Sequence, residues 1–334
     1  MQHTPDLFNR RQFTAFLGAA AAGGAWLPGP AAAQESLDMV KVLLGVPAGS
    51  LVDQIARQVA EVLKKGYAVN TLVENKTGAS GILAVAAAKS SPADGRTVLV
   101  AASSPVTVYP VTYKKLPYNP QTDLIPVSTL VTFDLALAVG PMVPAEVTNL
   151  KAYYAWCKAH PEHANFGSPA SGSMPHFLGS MTARSAGVDL QHVAYRGPSP
   201  AVTDMMGGRV SAVVVPLVDV LEFAKSGKCR ILAVTGDTRS RFVPQVPTFR
   251  EQGLGEYAMR VWIGTFLPAG TPAPVVQKLS TTLKTALSDK AVIAQFESNA
   301  DVQWCPPEEL KARMLAEQAK WAVAVKELNF TAET

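Results

Sequence analysis

The sequence predicts an α/β protein of two domains with a cleft between them, and three observations lead there. The chain has 334 residues, more than one hydrophobic core usually serves. Apolar residues make up 48 % and charged residues 17 %, which excludes a disordered chain and suits buried sheets flanked by helices. After residue 35, short β-rich runs alternate with helical periods, and two irregular stretches interrupt that alternation.

The first element is a signal. Asn9-Arg10-Arg11-Gln12-Phe13 leads into an apolar, Ala/Gly-rich run over 13–27, followed by Pro28, Pro30 and Ala31-Ala32-Ala33. Charged region, apolar region and small-residue cleavage site is the order of an export signal. The apolar run falls short of the roughly 20 residues that a spanning helix needs. Adjacent arginines before Phe13 point to the twin-arginine route. Residues 1–33 are therefore expected to be a twin-arginine signal peptide and the mature protein to be periplasmic; the alternative is a mobile helical N-terminus. Removing Arg10, Arg11 and Asp6 with the signal takes the formal charge from +4 to +3. No later stretch is long and apolar enough to span a membrane.

The mature chain then reads in order. A buried strand is expected over 39–46 (MVKVLLGV). From Leu51 the apolar residues fall at helical spacing until Gly66. Strands follow over 68–73 and 97–102, with an Ala-rich helix over 82–89 between them. Repeated βαβ units predict a parallel sheet covered on both faces. Residues 109–126 are Pro-rich and aromatic without a clear period, and 133–139 (FDLALAV) reads as a single strand. A second alternating set begins with a helix over 150–158, strand-like 165–166 and a helix over 175–184. It continues through strand-like 192–194, a helix over 200–206, a strand over 210–215, a helix over 217–225 and a strand over 231–234. Pro244 and Pro247, then Gly253 and Gly255, interrupt the pattern before a strand over 261–267 and a helical tail with one long run over 308–328.

One α/β block between two interruptions implies a discontinuous first domain, 36–135 plus 253–334, and a second over 136–252. Crossings near 133–139 and 257–267 would form the hinge. The mild charge has no Lys/Arg-rich run behind it, which excludes nucleic acid as a partner. Cys157, Cys229 and Cys305 are widely spaced and odd in number. They read as three buried thiols, or as one disulfide that the sequence does not place.

In open α/β sheets, ligands bind beyond the carboxyl ends of the strands. Three such ends carry small residues before a helix: 47–53 (PAGSLVD), 166–176 (FGSPASGSMPH) and 195–200 (YRGPSP). Gly49 permits a sharp turn, with Ser50 or Asp53 as the cap; Ser173 reads as an N-cap, with Pro175 in the first turn. A helix N-terminus offers unpaired N–H groups and a positive dipole end, which suits a carboxylate. Each loop alone reads equally as an ordinary cap; three together point to a carboxylate site.

These loops carry a resemblance. VPAGSLVDQIAR (46–57), VENKTGASG (73–81), SPADGRTVLV (91–100) and LPYNPQTDLIPV (116–127) match, in order and spacing, the substrate-binding proteins of tripartite tricarboxylate transporters, the Bug-type receptors. NFGSPASGSMPHF (165–177), HVAYRGPSPAVTDMMGGRV (192–210), LAVTGDTRSRFVPQVPTFREQG (232–253) and VWIGTFLPAGTP (261–272) continue it, so that it covers residues 36–330. The resemblance implies an α/β, two-domain periplasmic-binding-protein (Venus flytrap) fold, class II-like, with the ligand in the cleft between domains. It implies capture of a small organic carboxylate or amino acid and delivery to large and small membrane transporter subunits. No cofactor, metal or membrane span is expected in the mature chain, which should be a monomer. The ligand-binding positions carried over are Ala48, Gly49, Ser50 and Leu51 in the first loop and Ser168, Ser171, Gly172 and Ser173 in the second. His176 follows one turn into the helix, where it touches the ligand or only holds the loop. Ser103 and Ser104 line the cleft, and Tyr195, Arg196 and Gly197 form its rim. Arg196 is either a bidentate partner for a second carboxylate or a solvated side chain. The sequence departs from the family at Val46 (usually aromatic), at Ser50 (usually Gly) and at Ser211 (usually acidic). The last departure favours a ligand without an amino group.

Two other function classes come into question. An enzyme would need a recognisable constellation, and no G-x-S-x-G, G-x-G-x-x-G or P-loop occurs. His160-x-x-His163 has a metal-compatible spacing but lies beside Pro161 with no accompanying ligands. His176 and His192 lie near serines without a recognisable activated nucleophile. A sensory receptor presenting the bound carboxylate to a membrane signalling protein would use the same fold, and neighbouring genes would separate the two.

Overall fold

The computed structural model describes residues 36–328 and 330, so the export-signal reading lies outside the described residues. The strands along the chain are β1 (Leu37–Leu44), β2 (Ala68–Asn75), β3 (Thr97–Ala102), β4 (Leu124–Phe133) and β5 (Leu135–Val139). They continue with β6 (Asn165–Ser168), β7 (Gln191–Ala194), β8 (Ala212–Pro216), β9 (Arg230–Val234), β10 (Val261–Pro268) and β11 (Asp301–Cys305). Two sheets result, one ordered β11-β4-β10-β3-β1-β2 and the other β7-β6-β8-β5-β9.

The first expectation to fail is a wholly parallel sheet. β1 pairs in parallel with β2 and β3, but β10 runs antiparallel to both β3 and β4, and β11 antiparallel to β4. The reason is topological: β10 returns from the other sheet and inserts between β3 and β4 against their direction. In the second sheet β6 is parallel to β7 and β8, while β5 is antiparallel to β8 and β9.

The second concerns FDLALAV, which is not one strand. Phe133 ends β4 in one sheet and Leu135 begins β5 in the other, so the chain changes sheets at Asp134. β4 itself begins within the stretch that shows no period, because Pro126 and the polar Ser128, Thr129 and Thr132 interrupt its apolar run. Those hydroxyl residues are buried, and two have visible partners: Ser128 pairs with Thr265 (3.2 Å), and Thr129 donates to the Gln303 carbonyl (2.6 Å).

The helix Leu51–Leu63 shows why the α-elements form where they do. Leu51, Ile55, Ala56, Val59, Val62 and Leu63 recur at i, i+3 and i+4, and all are buried. Ser50 is its N-cap, accepting from Asp53 N–H (3.4 Å). The long C-terminal helix Pro307–Leu328 buries Leu310, Met314, Trp321 and Val325 along one face. The second sheet packs its own apolar set, including Val202, Met205, Val213 and Val215. Cys157, Cys229 and Cys305 are free and buried, and burial pushes the Cys157 and Cys229 thiols up to about 11.

Between the sheets runs an ionic chain. Asp134, buried at the sheet change, accepts from Arg260 Nε (2.9 Å), and Arg260 also pairs with Asp301. Asp301 in turn pairs with Arg241 (2.9 Å). Burial raises the Asp134 carboxyl, and Arg260 offsets only part of that rise. Arg260 precedes β10, so this pairing ties together the two places where the chain passes from sheet to sheet.

Candidate functional site

A cavity of about 640 Å³ opens where the carboxyl ends of strands from both sheets face each other. Its volume lies within the range typical of small-molecule sites. Ser50, Leu51, Ser104, Ser171, Ser173, Tyr195, Arg196 and Gly197 line it, and thus all three candidate loops converge there. Ala48, Gly49, Ser103, Ser168, Gly172 and His176 do not line it.

The first loop is built around a carboxylate. Buried Asp53 accepts from Gly49 N–H (2.9 Å), Arg57 Nε (3.0 Å) and Asn75 Nδ2 (2.8 Å), and Asn75 also donates to the Val46 carbonyl (3.1 Å). Burial raises this carboxyl, but the bonds from Arg57, Asn75 and Gly49 outweigh it and hold it below the ordinary value. The Gly49 amide is therefore occupied. The amides of Leu51 and Val52 have no acceptor among the described residues, and both residues line the cavity. They are the orphan donors of a helix start, at the positive end of its dipole.

The second loop is held from behind by two imidazoles. Gly172 N–H donates to His176 Nδ1 (3.0 Å), which places the proton of that neutral ring on Nε2. His192 stacks on His176 at 3.7 Å between centroids, and its Nε2 bonds the Ser168 hydroxyl (2.8 Å). Burial lowers His176 to about 4; burial and then the neighbouring His176 lower His192 to about 3. Ser168 is fully buried, so its contact with His192 offers no nucleophile to a substrate. Ser173 stands at the N-cap position, but its hydroxyl donates to the Ala170 carbonyl (2.7 Å) instead of capping an amide. The Ser171 hydroxyl has no partner among the described residues.

The third loop offers less than its sequence promises. Pro198 and Pro200 open the helix Pro198–Met206 and carry no N–H, so that helix start is poor in donors. Tyr195 donates to Asp204 (2.9 Å), which also holds Arg209 (2.6 Å). Arg196 is exposed and makes no ion pair with a described residue.

Contacts cross the cleft. Met174 N–H donates to Ser104 Oγ (3.2 Å), and Tyr113 OH donates to the Ser171 carbonyl (3.0 Å). Ser103 Oγ lies 3.5 Å from Met174 Sδ. A Cβ on Gly197 would come within 3.3 Å of Pro47.

Sequence reasoning missed part of the lining. Ala79 and Ser80 line the cavity in left-handed conformations (φ 44° and 57°), and Tyr109 OH donates to the Ser80 carbonyl (3.0 Å). Strain of that kind in non-glycine residues concentrates at functional sites. Its signal in the sequence is the run Gly78-Ala79-Ser80-Gly81, where Gly81 has a positive φ (89°) and packs on Gly45, at which a Cβ would sit 2.6 Å from the Gly81 Cα. Asp219 also lines the cavity, and nothing in its sequence context marks it. Ser211 is turned away from it, bonded to Tyr153 (2.9 Å) and to Asn165 (2.8 and 2.7 Å), so it says nothing about an amino group on the ligand. At the surface His163 stacks on Trp156 and His160 packs against it at a tilt.

Residues 55–330 match the family described as tripartite tricarboxylate transporter family receptor. Protein BugT of Bordetella pertussis is 32 % identical over 290 residues, 86 % of this chain and 88 % of BugT. Among solved structures, R. palustris Rpa4515 with adipate superposes with a TM-score of 0.83 at 26 % identity, covering 89 % of this chain and 99 % of that one. MatC from Rhodopseudomonas palustris with bound malate gives 0.76 at 26 % identity, covering 86 % and 99 %. The two-sheet architecture is that of two-domain periplasmic binding proteins.

Proposed function

Because the chain belongs to the tripartite tricarboxylate transporter receptor family, a family of non-enzymatic solute-binding receptors, we propose that it captures a small organic carboxylate in this cleft and delivers it to a tripartite tricarboxylate-type membrane transporter. The observation that carries this reading is the cavity wall at Leu51 and Val52, two helix-start residues whose amides have no acceptor among the described residues. A carboxylate there gains two N–H donors and the positive dipole end at no cost in buried counter-charge. Ser171, whose hydroxyl has no partner among the described residues, also lines the cavity. The adipate and malate bound by the two R. palustris proteins are of the same chemical class.

Residues 36–135 plus 253–334, which carry the six-stranded sheet, form one domain in this reading and 136–252, which carry β6 to β9 and most of β5, the other, with the hinge at the crossings near 133–139 and 257–267. In this reading Ser50, Leu51, Ser104, Ser171, Ser173 and Tyr195 to Gly197 face the ligand. Ala48, Gly49, Ser103, Ser168, Gly172 and His176 shape the loops that present them. The protein works in the periplasm as a monomer, reaching it through a twin-arginine signal over 1–33. Among the described residues, no helix is long and apolar enough to cross a membrane.

The test is a thermal-shift screen of the purified protein against di- and tricarboxylates, aromatic acids and amino acids. A ligand at a hundredfold excess over its Kd adds about 2.7 kcal/mol of stability. A rise in Tm with one carboxylate is expected. No shift with any of them, and no carboxylate copurifying, would overturn the reading.

A further inference from the structure

Asp219 is the second residue of the helix Val218–Lys225, just beyond β8, and it lines the same cavity as Leu51, Ser104 and Ser171. Its Oδ2 is shielded from solvent and has no hydrogen-bond partner among the described residues. Other shielded carboxylates here are answered: Asp53 by Arg57 and Asp134 by Arg260. Buried polar groups in native proteins are nearly always paired, and an isolated carboxylate is the costliest exception. No donor among the described residues bonds that Oδ2. Phe133, Leu135, Pro216 and Val261 also line the cavity, and Leu135 N–H is committed to Thr235 Oγ1 (2.9 Å). The amide of neighbouring Leu217 donates to the Asp134 carbonyl (2.9 Å). Burial alone lifts the Asp219 carboxyl to about 7, with no ion nearby to lower it. Its first-turn position favours an acid through the helix dipole, yet no described residue bonds its shielded oxygen.

Resting on the carboxylate-capture reading, we infer that Asp219 receives a protonated amino group of the ligand, so that the cleft selects aminocarboxylates over carboxylates lacking the amine. The cavity is lined by donors at Leu51, Val52 and Ser171 and by an acceptor at Asp219 that no described residue answers. An aminocarboxylate matches both, with its carboxylate at the donors and its ammonium at the acceptor. A second carboxylate placed near Asp219 would set two like charges in a poorly solvated space. A protonated amine instead supplies the cation that holds Asp219 ionised, and charge-assisted bonds of this kind are the strong ones. Ser211, where the family usually has an acidic residue, faces Tyr153 and Asn165, whereas this chain carries its acid at the cleft itself.

The test is isothermal titration at pH 7.5 of the wild type, Asp219→Asn and Asp219→Ala with matched pairs. These are aspartate against succinate, glutamate against glutarate, 4-aminobutyrate against butyrate, and phenylalanine against 3-phenylpropionate. The wild type should bind the amino member of at least one pair about tenfold tighter or better, the scale of one charge-assisted bond. Asp219→Asn should lose most of that preference while binding the amine-free member as well as before or better. Thermal melts verify that both variants fold. Preference retained in both variants, or a wild type favouring the amine-free member, overturns the role of Asp219 and leaves carboxylate capture standing. No binding by any of the eight compounds overturns both.

Discussion

Ser104 Oγ accepts the backbone N–H of Met174 across the cleft at 3.2 Å, so a hydroxyl from one sheet's lobe caps the first turn of a helix in the other. Tyr113 adds a second such bond, to the Ser171 carbonyl. Both bonds link a residue beyond β3 of one sheet to a residue beyond β6 of the other. Ser104→Ala with Tyr113→Phe should therefore weaken ligand binding about 5- to 30-fold while moving Tm little, since each lost bond is worth about 0.5–1.5 kcal/mol. Titration calorimetry beside thermal melts separates the two effects; equal losses in both would show that the bonds serve folding instead.

The serines of the second loop divide by partner. Ser171 has a free hydroxyl at the cavity, whereas Ser173 holds the Ala170 carbonyl at 2.7 Å. Ser171→Ala is expected to reduce affinity several-fold with an unchanged Tm. Ser173→Ala should lower stability by about 1 kcal/mol, measured by urea denaturation. The reverse pattern would exchange their roles.

Asp53 gathers Gly49, Arg57 and Asn75. Its folded pKa is lowered, so its contribution is present above the unfolded carboxylate pKa and is lost as pH falls through the folded one. Asp53→Asn should cost about 1–3 kcal/mol at pH 7. The gap to wild type should narrow on acidification below pH 4. Urea titrations across pH 3–7 follow it, and a gap constant with pH would remove the charge from the argument.

Asp219 has the opposite sign. Its folded pKa is raised to about 7 from an unfolded value of 3.8, so the stability of the unliganded protein is retained below pH 4 and declines as pH rises to 7. Asp219→Asn should match wild type near pH 4 and exceed it by roughly 2–4 kcal/mol above pH 7, because a tenfold change in proton affinity between the folded and unfolded chains is worth about 1.4 kcal/mol. Equal stability of the two proteins at pH 8 would show that Asp219 is not strained by burial.

Arg260 answers Asp134 and Asp301 together. Arg260→Ala leaves Asp134 buried without its counter-charge and should destabilise by about 3 kcal/mol or more. The double variant Asp134→Asn, Arg260→Gln should recover part of the loss, because no uncompensated charge remains. Absence of any recovery in denaturant melts would mean that Arg260 acts by packing.

Much of this molecule is legible in its sequence. The strand over 97–102 and the helix over 82–89 fall on the residues their periods mark, and the three small-residue loops do converge. What escapes the sequence has identifiable causes. β4 is hidden because Ser128, Thr129 and Thr132 look exposed in a linear pattern, whereas cross-strand hydroxyl contacts let such residues be buried. The break at Asp134 is hidden because a buried aspartate reads as a solvent-side residue until Arg260, 126 positions away, is brought against it. Within the site, residue type alone cannot say which amides are already taken: Gly49 and Gly172 resemble free donors, yet Asp53 and His176 occupy them. Asp219 reads as an ordinary first-turn acid favouring a helix start, and only the absence of partners around it sets it apart.

The change of sheets at Asp134 also orders the protein's birth. All five strands of the second sheet lie between residues 135 and 234, so their pairing is complete once that stretch has left the ribosome. The first sheet must wait, because β10 is the strand that joins β3 to β4, and it arrives only with residues 261–268. During synthesis β4 stands with neither of its partners, an unsatisfied edge of ten residues, until the late segment closes it. On strand order alone, the nascent chain can complete its middle sheet before the sheet that holds its beginning.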